Sequence, residues 1–148
     1  MSKYNDTIYA LSTPPGKSAI AIIRISGSVA IKALKKISSI KKIKINAANL
    51  LFINDKKTII DQVVAVCYKA PKSFTGEDVV EINCHGGQAV ISKLSSTFEK
   101  LGLRLAEPGE FTKRALLNNK IDLVKTESVS DIINAETEKQ REVAIKNL

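Results

Sequence analysis

The chain has 148 residues, 44% of them hydrophobic, which suits one domain with a packed core or a small domain with part of another. No apolar run approaches the length of a membrane span, the N-terminus lacks the charged and apolar blocks of a signal peptide, and the two cysteines form no CxxC pair. These features favour a soluble cytoplasmic protein that contacts no membrane and holds neither a disulfide framework nor a zinc site.

The net charge of +8 raises the hypothesis of nucleic-acid binding, because lysines attract phosphates and release counterions. Lysine supplies 19 of the 23 cationic residues, whereas arginine, which suits bidentate recognition of bases and phosphates, appears four times. The densest cluster spans residues 32–44, and a solvated helix end and loop explain it more simply than an RNA interface. A lysine-rich RNA-binding module stays the alternative hypothesis.

The first segments predict two strands and a helix. Strands are expected near residues 6–11 and 18–26, where β-branched residues are frequent. A helix is expected from about residue 28 to 38, with Ser26 or Ser28 as its N-cap.

The tripeptide Gly-Lys-Ser at 16–18 has the ending of a phosphate-binding loop, but the rest of that motif is missing. Leu11 stands where the motif requires glycine, and Pro14 and Pro15 have no N–H to donate to a phosphate. The residues that follow predict a strand, whereas a phosphate-binding loop precedes a helix. We therefore reject nucleotide binding at this position.

The middle of the chain predicts a strand pair and one further strand. The pair is expected at 49–53 and 58–68, joined by a turn at Asn54 and Asp55. A strand at 78–84 follows, and together these segments predict a mixed sheet.

The last third of the chain is mainly helical in pattern. A helix is expected from about 87 to 101 with Gly102 as its cap, and residues 103–106 suit a short edge strand. After a Pro-Gly turn, a short helix is expected at 110–119, and a long helical stretch runs over 122–148.

We expect an α+β domain at residues 1–119, with a mixed β-sheet and packed helices, followed at 120–148 by the first helix of a truncated helical domain. Apolar residues still recur along that helix where the sequence stops. Its partners are therefore expected elsewhere, either in further helices or in another subunit.

Three stretches hold polar residues that a fold seldom requires. They are Arg24 within a strand, the segment 73–87, and the segment 106–123 at the domain junction. The residues of interest in the second and third stretches are Glu77, Asp78, Glu81, His85, Glu110, Lys113, Arg114 and Lys120. An arginine facing water on an edge strand, and surface salt bridges, explain the same residues without a function.

Cys84 and His85 make a weak case for a nucleophilic pair. Neighbouring residues of a strand point to opposite faces, whereas a nucleophile and its base must come within hydrogen-bond distance. His85 is the only histidine, so the chain also offers a poor zinc constellation.

Three motifs together carry a resemblance to a known family. DTIYALSTPPGKSAIAIIRISG, PKSFTGEDVVEINCHGG and EPGEFTKRALLNNKIDLVKTESVSDIINAET occur in the order found in the N-terminal part of MnmE, or TrmE, the tRNA-modifying GTPases. The resemblance implies a domain that dimerises, binds 5-formyltetrahydrofolate or a related reduced folate, and is similar in fold to folate-binding aminomethyltransferases. It carries folate contacts onto Arg24, Glu81 and Lys120, one in each stretch named above, and no catalytic or metal-binding residue onto this chain.

The resemblance also implies the setting in which the domain acts. Full-length members work with MnmG, an FAD-dependent partner, to place an aminomethyl or carboxymethylaminomethyl group on carbon five of the wobble uridine of tRNA. GTP, magnesium and potassium belong to the full-length enzyme, whose GTPase motifs are absent here. We therefore expect this chain to bind folate and to dimerise, without hydrolysing GTP or modifying tRNA alone. A self-contained folate-dependent transferase ranks last, because no residue stands out as a general base.

Overall fold

The structure is a computed structural model that describes residues 5–148. Over these residues the chain forms six strands and five helices. The strands are β1 (Ile8–Leu11), β2 (Ser18–Ser26), β3 (Ala48–Asp55), β4 (Thr58–Tyr68), β5 (Val79–Gly86) and β6 (Arg104–Leu105). The helices are α1 (Ala30–Ile37), α2 (Gln88–Lys100), α3 (Glu110–Leu117), α4 (Leu123–Asn134) and α5 (Glu138–Lys146).

The six strands form one mixed sheet, in the order β3-β4-β5-β2-β1-β6. The strand β1 pairs with β6 in parallel, and the other neighbouring strands pair antiparallel. The predicted α+β fold with a mixed sheet and packed helices is therefore confirmed. The strand that carries Arg24 is internal, so the explanation of Arg24 as an edge-strand residue is wrong.

The hydrophobic core lies on one face of this sheet, under α1 and α2. Alternate residues of β2, such as Ile23 and Ile25, are buried there against Leu34 of α1 and Phe98 of α2. Since successive side chains of a strand point to opposite faces, Arg24 lies on the face away from this core. The candidate site is built on that second face.

The start of α1 differs from the prediction. Val29 occupies the N-cap position, and no side chain caps the helix. Ser26 belongs to β2, where its hydroxyl lies 2.7 Å from both Thr75 Oγ1 and Glu77 Oε2. Neither Ser26 nor Ser28 is the N-cap, because α1 begins at Ala30, later than the start near residue 28 that the sequence pattern indicates.

The β3–β4 turn also lies later than expected. Asn54 and Asp55 belong to β3, and the two-residue turn consists of Lys56 and Lys57, with Lys56 in the left-handed region at φ 56°. Asp55 is held in the ladder because it pairs with Thr58 and accepts hydrogen bonds from two lysines of α2.

The predicted long helix over 122–148 is two helices, α4 and α5. The chain is extended at Ala135, and Thr137 begins α5 with a capping box that it shares with Gln140. The sequence signal was the Thr-x-x-Gln spacing within an otherwise helical pattern. The boundary near residue 119 stays a prediction. Within residues 5–148, no helix has both the length and the hydropathy needed to cross a bilayer.

Candidate ligand-binding site

Arg24 and Glu81 face each other across the sheet. They are directly paired in the β2–β5 ladder, on the face opposite the core. Arg24 donates to Glu81 Oε1 from Nε at 3.0 Å and from Nη2 at 2.7 Å, and each side chain is about a quarter exposed, at 27% and 26%. Within residues 5–148, no hydrogen bond involves Glu81 Oε2 or Arg24 Nη1, so the pair presents an acceptor beside a donor.

Two aromatic rings fix the guanidinium of Arg24. Its central carbon lies 5.3 Å from the ring centroid of Phe74 and 5.6 Å from that of Phe111. Both distances are within the range of cation–π attraction. Phe74 comes from the loop between β4 and β5, and Phe111 from α3, so both segments meet over β2.

The last turn of α3 sets the position of Lys120. Its N–H donates to the carbonyl of Ala115 and the N–H of Asn119 donates to Leu116, while Asn119 has a left-handed φ of 54°. This is the hydrogen-bond pattern of a Schellman motif, in which asparagine replaces the usual glycine. The chain therefore turns sharply after α3 and brings Lys120 back toward the loop that carries Phe74.

That loop and Lys120 are in close contact. A Cβ added to Gly76 would lie 3.1 Å from Cγ of Lys120 and 3.1 Å from Cβ of Asn118, so the lysine stem passes directly over the glycine. Asn118 also donates to the carbonyl of Thr75 at 2.7 Å. Gly76 is required here both by this approach and by its φ of 77°.

A cavity of about 410 Å³ opens between these elements. It is lined by Tyr68, Lys72, Ser73, Phe74, Val79, Glu81 and Lys120. Glu81 and Lys120 thus line one cavity, and Arg24 is hydrogen-bonded to the carboxylate of Glu81. The structure thus brings Glu81 and Lys120 to one cavity although they are far apart in the chain, whereas Arg24 is not among the lining residues and is joined to the site through Glu81. The volume of the cavity lies within the range of small-molecule sites.

Glu77, Glu110 and Arg114, three buried residues of the second and third stretches, form an ion cluster with the partly exposed Asp6 and Arg104. We call these five residues the buried ion cluster, after its buried centre at Arg114. Arg114 is fully buried and donates to Asp6 at 2.7 Å, to Glu110 at 2.9 Å and to Glu77 at 3.3 Å. Hydrogen bonds from Arg104 lower the pKa of Glu110 to about 2. The explanation by surface salt bridges is therefore wrong for Glu110 and Arg114, which anchor α3 in the interior.

Cys84 and His85 point apart, as predicted. Cys84 is buried in the core, and burial raises the pKa of its thiol to about 11. His85 is exposed, and its Nδ1 lies 2.8 Å from Asp61 Oδ1. A protonated, buried thiol has no access to a substrate, so this pair does not form a nucleophilic site.

The aromatic partners of Arg24 were not predicted from the sequence. Phe74 and Phe111 lie within the second and third stretches, but only the charged residues there were weighed. Their sequence signal is that each stretch carries one phenylalanine beside a turn. Among the described residues, no group of three or more His, Cys, Asp and Glu is arranged to hold a metal ion.

Comparison with known proteins identifies the family. The profile of the family described as "GTP-binding protein TrmE N-terminus" matches residues 7–120. The chain belongs to this family. Arg24, Glu81 and Lys120 all lie within the matched residues of the TrmE N-terminal domain, and so do Phe74 and Phe111.

Several full-length relatives are similar to almost the whole chain. Proteins named tRNA modification GTPase MnmE are 52% identical in Fervidobacterium nodosum, 49% in Thermotoga maritima and 45% in Latilactobacillus sakei, each over 97% of this chain. The chain spans about a third, 32%, of the length of each relative. The similarity therefore concerns the N-terminal part of those proteins.

Proposed function

We propose that this chain is the reduced-folate-binding and dimerisation module of a tRNA modification GTPase. One observation carries the proposal: Glu81, paired with Arg24, lines the same cavity as Lys120. The membership of the TrmE N-terminal family supports it, because the family resemblance carries folate contacts onto these three residues.

The residues of the cavity suit 5-formyltetrahydrofolate. The pterin ring presents an amino group and a ring N–H side by side, and the free Oε2 of Glu81 is an acceptor for such donors. The ring of Phe74 offers an apolar face for a flat bicycle, and the amine of Lys120 suits the anionic glutamate of the ligand. When bound, the folate would supply a one-carbon unit. The residues of this chain would bind and orient it.

The larger protein gives the module its role. The relatives are named tRNA modification GTPases, and we propose that this chain serves such an enzyme. In that enzyme, GTP hydrolysis with magnesium and potassium would act together with the partner MnmG to modify carbon five of the wobble uridine. The module would contribute the folate and one half of the dimer.

A homodimer is proposed on the face of the sheet that carries the site. Ile20 of β2 and Leu50 and Phe52 of β3 are exposed there, although strand residues of this type are usually covered. A second copy would cover them by a two-fold contact of the same patch. Sedimentation velocity should show a dimer for the native chain and a monomer for Phe52→Lys, whereas Ile133→Lys in α4 should leave the dimer intact.

Titration calorimetry with 5-formyltetrahydrofolate tests the binding function. Glu81→Gln should weaken binding by about 10-fold to 100-fold, because hydrogen bonds to charged groups contribute about 1.5–3 kcal/mol. Glu142→Gln, on the exposed surface of α5, is the matched control and should bind like the native chain. Equal affinity of the native chain and Glu81→Gln would remove Glu81 from the site.

The lysines of residues 32–44 support the alternative of RNA binding. All six are exposed on α1 and the loop that follows, and residues 7–54 contain no acidic residue. RNA affinity that falls steeply with salt and does not respond to folate would favour this alternative.

A further inference from the structure

A second, larger cavity adjoins the candidate site. It has a volume of about 550 Å³ and is lined by Ser28, Lys69, Ala70, Pro71, Gly76, Glu77, Asp78, Asn118 and Lys120. Lys120 lines both cavities, and its stem crosses Gly76 between them. The two cavities therefore share Lys120 as a common wall.

The acidic residues of the second cavity are already neutralised by their own neighbours. Asp78 accepts from Lys69 Nζ at 2.6 Å and from the N–H of Ala70 at 3.0 Å. Glu77 is held by Ser26 and by Arg114 of the buried ion cluster. Both carboxylates are buried by these contacts, so neither presents a free charge to the cavity.

The two lysines of the second cavity, unlike its carboxylates, are exposed. The side chain of Lys69 is 65% exposed although it pairs with Asp78. Lys120 is an exposed residue, and no ion pair joins it to another residue in 5–148. The cavity thus offers the ammonium group of Lys120 and that of Lys69, whose charge is shared with Asp78, with the amide of Asn118 and the hydroxyl of Ser28 as further hydrogen-bond partners.

We propose that the second cavity binds the γ-glutamyl chain of a polyglutamylated reduced folate, so that the site prefers polyglutamates to the monoglutamate. This inference rests on the proposed folate function. Each added γ-glutamyl residue brings one carboxylate and one amide. A chain of such units is flexible and narrow enough to follow the lysine stem, and its charge is complementary to that of the two ammonium groups.

The test compares the mono-, tri- and pentaglutamate of 5-formyltetrahydrofolate by titration calorimetry on the native chain. The triglutamate should bind about 5-fold to 20-fold more tightly than the monoglutamate, because each exposed ion pair is worth up to about 1 kcal/mol. The preference should shrink as the salt concentration rises. A tri-γ-glutamate peptide without the pterin should bind far more weakly than either folate.

Ser28→Asp tests whether the preference for the triglutamate arises in the second cavity, with the neutral Ser28→Asn as its matched control. Ser28 is exposed at the second cavity and precedes α1, so an added carboxylate repels a polyglutamate without removing any contact of the fold. Ser28→Asp should reduce the triglutamate preference to about 2-fold and leave monoglutamate affinity unchanged, whereas Ser28→Asn should behave like the native chain.

The outcomes separate this inference from the function on which it rests. Tight monoglutamate binding without any gain from further glutamates would overturn the inference and leave the folate function standing. A preference that survives Ser28→Asp would place the tail outside the second cavity and overturn the inference as well. If neither folate binds, the proposed function fails with it. Displacement of the triglutamate by tRNA, with the monoglutamate retained, would assign the second cavity to RNA.

Discussion

Replacing Arg114 with Met should destabilise the protein strongly. Arg114 is fully buried, and its removal leaves the carboxylates of Glu77 and Glu110 in the interior, at 2% and 4% exposure, with fewer donors. Breaking a buried ion pair by removing one partner costs about 3–5 kcal/mol. For a chain of this length, such a loss lowers the melting temperature by about 10 °C or more.

Urea unfolding followed by circular dichroism measures this loss. Arg141→Met is the matched control, because Arg141 pairs with Glu138 on the exposed surface of α5 and should leave the unfolding midpoint nearly unchanged. Adding Glu77→Gln to Arg114→Met should restore part of the lost free energy by removing a buried charge that has lost its contact with Arg114. Equal midpoints for Arg114→Met and Arg141→Met, at equal slopes, would refute the reasoning about the buried ion cluster.

Three further outcomes follow from the geometry. Because the pKa of Glu110 lies at about 2 in the folded state against 4.5 as its ordinary value, its contribution is complete above pH 4.5 and is lost as the pH falls through 2. That contribution is worth about 3 kcal/mol, so acid unfolding of Glu110→Gln should depend much less on pH in this window. Gly76→Ala should weaken folate binding and should lose more stability than Gly102→Ala. Both glycines have left-handed φ values, of 77° and 80°, but of the two only Gly76 has atoms within 4 Å of an added Cβ. Calorimetry should show about 10-fold weaker folate binding for Phe74→Leu and near-native binding for Phe74→Tyr, which keeps the aromatic face; equal binding by both would exclude stacking.

Periodicity predicted most of the fold because the pattern of apolar residues is a local property. The alternation in β2 and β5 and the helical spacing in α2 arise because each of these elements buries one face. That pattern can be read from each segment alone. The breaks between elements were less predictable. The turn after β3 depended on Asp55 meeting two lysines of α2, which no local pattern contains.

The candidate site was predictable only in part, because its geometry depends on pairing between distant segments. Arg24 and Glu81 were chosen through the family resemblance, and their ion pair follows from the register of β2 against β5, which the sequence does not specify. For Arg114 the sequence offered surface salt bridges with neighbouring charges as the simpler explanation. Its burial arises from three carboxylates that the fold gathers from separate segments.

The eight-residue helix α3 joins the buried ion cluster to the candidate site. Arg114 and Glu110 hold the buried side of the helix in the ion cluster. Phe111 of the same helix contacts Arg24, and Lys120 lies directly after its C-terminal turn. A helix this short has little stability of its own, so its position depends on these tertiary contacts. Loss of Arg114 should therefore weaken folate binding even under conditions where the variant is folded. Conversely, saturating folate should raise the unfolding midpoint of the native chain more than that of Arg114→Met, because tighter binding to the folded state contributes more free energy.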